Sequence, residues 1–144
     1  MRRILFVCTG NSCRSQMAGG FGRAFGKGEF EVESAGTSPI GILPATIRTM
    51  KEVGIDISDQ TSDKLTTEMI AWADYVITLC SQARDNCPVI PPGVIHRHWD
   101  IENPDRLYFS DEKRRREFAR IRDQIGEKVK DLFENIRCGS GNGS

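Results

Sequence analysis

Four short β-prone runs, Arg3 to Val7, Phe30 to Ser34, Tyr75 to Leu79 and Val94 to His98, are separated by segments whose apolar residues return at helical spacing. This alternation constrains the fold more than any other feature. Strand and helix in turn build an α/β domain around a parallel sheet with helices on both faces. The spacing predicts a first helix through Met17, Phe21 and Phe25. Gly19, Gly20, Gly22 and Gly26 each weaken it by up to about 1 kcal/mol relative to Ala, so packing must hold it. Pro44 suits the start of a second helix over roughly Ala45 to Val53, with Gly54 placed to stop it. Thr66 can cap a third, with Met69, Ile70 and Ala73 for its buried face. Phe118, Ile121, Ile125, Val129, Leu132 and Phe133 form one stripe of a long final helix whose other faces are charged. The expectation is a single domain over residues 1–137 with a four-stranded parallel sheet, and a flexible tail over 138–144.

Charge and cysteine content narrow the function classes. Lys plus Arg and Asp plus Glu both total 20 in 144 residues, so no global basic field recruits nucleic acid or an anionic membrane. Any anion recognition must be local. No apolar run has the length of a membrane-spanning helix, and the opening MRRILFV turns polar at Thr9, too early for a secretory signal. The expected compartment is the cytoplasm, and the expected state a monomer. Five cysteines are an odd number in a chain without a signal, which argues against a disulfide framework and for thiols kept for chemistry.

In a parallel α/β sheet, ligands lie beyond the carboxyl ends of the strands, and Cys8 sits at such an end. Cys8 and Arg14 enclose five residues and Ser15 follows directly, between a predicted strand and a predicted helix. A loop curled at a helix N-terminus aims several backbone N–H groups at one oxyanion, and Arg14 adds a planar two-pronged donor. The segment Thr9, Gly10, Asn11, Ser12, Cys13, Arg14 and Ser15 is therefore read as a cradle for a tetrahedral oxyanion. The same positive potential favours thiolate over thiol, which predicts a lowered pKa and a nucleophilic role for Cys8. The competing reading makes Cys8 a small buried hydrophobe and Arg14 a surface cation.

A second constellation follows the third strand. LCSQARDNCPVIPP holds Cys80 and Cys87 in a polar, proline-terminated segment, read as an exposed and deformable loop. These cysteines are further apart than the two to four residues usual between structural zinc ligands, so no metal is expected. His96 and His98 are read as surface or packing residues.

The stretch VCTGNSCRSQMA resembles the phosphate loop of the low-molecular-weight tyrosine phosphatase superfamily. LCSQARDNCPVIPP resembles the redox segment of its thioredoxin-coupled arsenate reductases. SAGTSP near Ser34, the CP-x-x-PP turn and the HW-x-x-x-x-P segment at His98 extend the likeness to about Cys138. The resemblance implies the low-molecular-weight phosphatase-like fold, Cys8 as nucleophile, Arg14 as oxyanion clamp, Ser15 as a hydroxyl that helps hold the thiolate, and a structural Cys13. It implies reduction of arsenate in arsenical detoxification, with no cofactor. Cys8 would form a covalent adduct with arsenate, Cys80 would attack the Cys8 sulfur and release arsenite, and Cys87 would then take the disulfide from Cys80. Thioredoxin would reduce the Cys80–Cys87 disulfide.

Two positions depart from the family pattern. The residue before Pro104, where the phosphatases carry their acidic proton donor, is Asn103. An amide cannot deliver a proton as a carboxylic acid does, so the donor is expected among Glu102, Asp105, Asp100 or solvent. Some relatives bind potassium through residues that map onto Asn11, position 19, Ser34 and Asp63. Position 19 is Gly19, which predicts weak or absent potassium dependence. A phosphatase of phosphotyrosine or small phosphomonoesters is the alternative, and an oxyanion-binding redox sensor is a third.

Overall fold

The computed structural model describes residues 1–106 and 108–139; residues 140–144, most of the expected tail, lie outside the described set. The strands are β1 (Arg2–Cys8), β2 (Phe30–Gly36), β3 (Tyr75–Thr78) and β4 (Ile95–His98). They form one sheet in the order β2-β1-β3-β4. All three pairings are parallel, with Cys8 opposite Gly36, Val7 opposite Thr78 and Thr78 opposite His98. Cys8 thus ends a central strand that is fully buried from Ile4 to Val7.

The helices are α1 (Arg14–Phe25), α2 (Pro44–Lys51), α3 (Thr67–Trp72), α4 (Ser81–Asn86) and α5 (Asp111–Arg137). Period-two alternation splits β1 between two cores. Ile4 and Phe6 pack with Met17 and Phe21 of α1, Met50 of α2 and Phe118, Ile121, Ile125, Val129 and Phe133 of α5. Leu5 and Val7 pack on the other face with Ile70 before Ala73 and with Ala83 of α4. The expected stripe of α5 is buried except for Leu132, which is only half-buried, and Ile136 extends it by one turn.

Helix α1 runs unbroken through Gly19, Gly20 and Gly22, and at Gly20 and Gly22 packing leaves no room for a side chain. A Cβ on Gly20 would lie 2.8 Å from Ile57 and 3.0 Å from Met50. Thr66 caps α3 as expected, its hydroxyl accepting from Met69 N–H at 3.1 Å.

One expectation is corrected. The stretch after Cys80, read as a loop, is the helix α4, with Cys80 as its N-cap and Cys87 as its C-cap. Only Ala83 faces inward, so the helix carries no apolar periodicity that sequence inspection can detect.

Candidate active site

The loop from Thr9 to Cys13 is held by its carbonyl groups. Cys8 O accepts from Thr37 N–H at 3.2 Å, Thr9 O from Ser38 N–H at 2.8 Å, Gly10 O from Ile40 N–H at 3.0 Å and Ser12 O from Leu43 N–H at 3.1 Å. Asn11 O accepts from the Gln16 side chain at 3.0 Å. In a planar trans peptide the N–H points opposite to the preceding C=O. Pulling these carbonyls outward therefore turns the amides of Thr9, Gly10, Asn11, Ser12 and Cys13 inward. None of those amides donates to a backbone carbonyl among the described residues. The result is a concave array of donors at the start of α1, where the helix dipole adds to its pull on an anion.

Asn11 has a φ of 47° and is fully buried. Its Nδ2 donates to Ser15 Oγ at 2.7 Å and Ser34 Oγ at 3.2 Å, and its Oδ1 accepts from Asp63 N–H at 2.8 Å. Gly36 makes this packing possible, since a Cβ there would lie 2.5 Å from Thr9 O and 2.9 Å from Asn11 Cβ.

Cys8, Thr9, Gly10, Ser12, Cys13, Arg14 and Cys80 line a cavity of about 520 Å³, whereas Asn11 and Ser15 sit buried behind the loop wall. Arg14 donates from Nη1 to Ile101 O at 2.8 Å, which holds the guanidinium over the loop. Its Nε is buried with no partner among the described residues, a donor left open beside the cradle. Cys13 is buried and its thiol is pushed up to about 12, by burial above all. It takes part through its backbone and as packing.

Cys80 stands against Cys8. The two residues line one cavity and pack in one core cluster, and Thr9 Oγ1 lies 3.2 Å from the Cys80 sulfur. Ala83 N–H donates to the same sulfur at 3.4 Å across the first turn of α4. The Cys80 thiol is pulled down to about 4, first by the neighbouring Cys8 thiol and then, against burial, by Thr9, Ala83 and Arg14. Cys8 is pushed well above its ordinary value by the neighbouring Cys80 and by burial, against the pull of Arg14 and the Thr9 N–H. The expected low pKa of Cys8 is corrected accordingly. Of the two thiols, Cys80 is the one whose surroundings favour the thiolate. Cys87 is half-buried and its thiol is raised by desolvation.

The donor candidates separate. Asp105 and Asn103 line the cavity, while exposed Glu102 turns to Arg120 on α5 at 3.3 Å. Asp105 accepts from Arg114 at 2.8 Å, and its N–H donates to Asn103 Oδ1 at 3.0 Å. Asp100 is exposed outside this lining. His96 and His98 are half-buried and both bond Thr78 Oγ1, at 3.1 and 2.8 Å. No group of three or more His, Cys, Asp or Glu is arranged to hold a metal ion among the described residues. At position 19 a Cβ would face Arg23 and the Gln60 amide, each at 3.8 Å.

Sequence inspection did not find Gln16, Gln60, Thr37, Ile101 or Arg114. They act through backbone atoms or as partners of functional groups, and no spacing rule links them to Cys8. SAGTSP was the one visible signal, since its amides at Thr37 and Ser38 are those that tie the loop.

The sequence matches the family described as low molecular weight phosphotyrosine protein phosphatase over residues 3–139. It is 48% identical over 134 residues to arsenate reductase 2 of Staphylococcus saprophyticus, across 93% of this chain and 98% of that one. A solved arsenate reductase in the phosphate binding state superimposes with a TM-score of 0.77 at 37% identity, over 94% of this chain and 99% of the other. A thioredoxin-dependent arsenate reductase from Corynebacterium glutamicum gives 0.80 at 30% identity, over 96% of this chain and 63% of that longer one.

Proposed function

Since the chain belongs to the low molecular weight phosphotyrosine protein phosphatase family, we propose that its site is used to reduce arsenate to arsenite through Cys8, Cys80 and Cys87, with thioredoxin as external reductant. The observation that carries this reading is the placement of Cys80 on the same cavity wall as Cys8, with its sulfur 3.2 Å from Thr9 Oγ1 of the cradle. Phosphate ester hydrolysis needs no second sulfur against its nucleophile, whereas reduction of As(V) by two electrons requires one.

Arsenate enters the inward amides and Arg14. The Cys8 sulfur attacks arsenic, an As–S bond forms and an As–O bond breaks. The Cys8 proton leaves with the departing hydroxyl as water, and Cys80 reacts next as a thiolate. Cys80 then attacks the Cys8 sulfur. The As–S electron pair stays with arsenic, which departs as arsenite, and a Cys8–Cys80 disulfide remains. Cys87 attacks Cys80, frees Cys8 and forms the Cys80–Cys87 disulfide that thioredoxin reduces.

Geometry demands motion in that last step. Seven residue steps along α4 separate the Cα atoms of Cys80 and Cys87 by roughly 10 Å. A disulfide needs about 4.4 to 6.8 Å, so α4 must unwind. No helix among the described residues is long and apolar enough to cross a membrane. We take the protein to act as a cytoplasmic monomer.

Asp105 is the carboxyl group best set to protonate an alkoxide or phenoxide leaving group, which keeps a weak phosphatase activity as the second reading. One assay separates them: arsenite formation with thioredoxin, thioredoxin reductase and NADPH, run beside hydrolysis of an aryl phosphate. Thioredoxin-dependent arsenite formation is expected, and aryl phosphate hydrolysis without it would overturn the proposal.

A further inference from the structure

Four of the five loop carbonyls that point outward are tied by main-chain amides, those of Thr37, Ser38, Ile40 and Leu43. The remaining one, Asn11 O, depends on a side chain. Gln16 Nε2 donates to it at 3.0 Å and uses its second hydrogen on Thr61 O at 2.9 Å. Both acceptors are carbonyls, so the amide has only one workable orientation. Gln16 is 0% exposed. Its Oε1 accepts from Gln60 Nε2 at 2.7 Å, and Gln60 also donates to the Gln16 carbonyl at 3.2 Å. Four amide hydrogens and their acceptors thus form a closed bracket between the first turn of α1 and residues 60–61.

The peptide so held follows the one non-glycine residue with positive φ among the described residues, Asn11 at 47°. That conformation is sparsely populated and persists only when its surroundings impose it. The Asn11 side chain is anchored separately by Ser15, Ser34 and Asp63, which leaves the plane of the Asn11–Ser12 peptide to Gln16. Because N–H and C=O are antiparallel across that plane, holding Asn11 O outward directs the Ser12 N–H into the cavity.

We infer that Gln16, locked by Gln60, is a positioning residue that aims the Ser12 N–H at the bound oxyanion. The inference deepens the proposed use of the cradle and rests on it only for the identity of the anion. Without the bracket the Asn11–Ser12 peptide is free to rotate, and the cradle loses one preorganised donor to a charged acceptor.

The test uses the full-length reduced protein, Gln16→Met and Gln60→Met, with inorganic phosphate binding followed by titration calorimetry. Methionine keeps the length and removes the donor. Gln16→Met is expected to weaken phosphate binding about 10-fold, the lower end for a hydrogen bond to a charged group, with arsenate KM rising in step and kcat changing less. Gln60→Met, which leaves Gln16 in place but unlocked, is expected to weaken it about 3-fold. A purely structural role would lower the melting temperature and leave the phosphate Kd of the folded protein within about twofold of wild type, which overturns the inference. Should Gln16→Met fail to fold, Gln60→Met decides in the same way. Wild-type protein that binds phosphate but forms no arsenite would overturn the proposed activity and leave this inference standing. Wild-type protein that binds neither oxyanion would overturn both.

Discussion

The loop after β1 and the cysteine segment after β3 leave the same end of the parallel sheet and place Cys8 and Cys80 on one cavity, yet they are restrained in different ways. Every carbonyl from Cys8 to Ser12 has a donor from elsewhere in the chain, and Asn11 and Ser15 are fully buried. Helix α4 buries only Ala83. Its links to the cradle are Thr9 with the Cys80 sulfur and, at 3.4 Å, Thr9 with Gln82. The difference follows from the chemistry asked of each. An oxyanion is best held by donors that need not reorganise when charge arrives. A disulfide carrier must bring together two sulfurs that its resting conformation keeps apart. Dense hydrogen bonding and burial oppose local opening of the first region, and the single buried side chain of α4 offers little to oppose it in the second.

The largest test of the comparison removes the fixed nucleophile. Cys8→Ser should lower both arsenate reduction and aryl phosphate hydrolysis by on the order of 10⁴-fold or more, measured as initial rates, because a hydroxyl supplies no comparable anion at neutral pH. Substantial residual activity in either assay would break the assignment.

Cys80→Ser should abolish arsenate turnover while aryl phosphate hydrolysis stays within about 3-fold, since only reduction uses the second thiol. Equal loss of both would assign α4 a structural role instead. The same variant checks where the charge lies. A depressed pKa means the anion persists as pH falls, so thiolate ultraviolet absorbance in the reduced protein should survive from neutral pH down to about 4 and disappear below it. In Cys80→Ser that signal should vanish, and Cys8, released from the neighbouring thiol that raises it most, should titrate lower than in wild type.

Amide hydrogen exchange compares the two regions directly. Forming the Cys80–Cys87 disulfide should accelerate exchange by about 10-fold or more at residues 80–90 and leave residues 8–14 unchanged. Matching profiles in the reduced and oxidised protein would refute the unwinding of α4.

Asn103→Asp places a carboxyl group on the cavity lining, and phosphatase activity should rise by roughly 10-fold if proton donation limits it. No gain would identify Asp105 as the sufficient donor. The smallest effect concerns cations. Adding potassium in place of a large organic cation should change arsenate turnover by less than about twofold, because Gly19 offers no carboxylate and its space faces Arg23 and Gln60.

Much of this was visible in the order of residues. Apolar runs located the four strands of the described residues, helical spacing located α1 and α5, and Pro44, Gly54 and Thr66 located α2 and α3. The interval from Cys8 to Arg14 between a strand and a helix identified the cradle, since a strand–loop–helix unit is local and its geometry follows from residue type. Helix α4 escaped because a six-residue helix with one buried side chain leaves no period to read. Local sequence also marked Cys80 and Cys87 as a pair apart from Cys13, through the polar segment and prolines around them.

Only the tertiary structure decided which thiol its surroundings favour as the anion, which carboxylate faces the site and what holds the loop open. Those outcomes depend on Thr9 meeting Cys80 across 71 positions, Arg14 meeting Ile101 across 87 and Gln16 meeting Gln60 across 44. A pKa is set by burial and by the nearest charges and hydrogen bonds, and a peptide plane by its partner. In this chain both are supplied by residues that neither composition nor spacing ties to the site, and that become neighbours only when the parallel sheet brings its strand ends together.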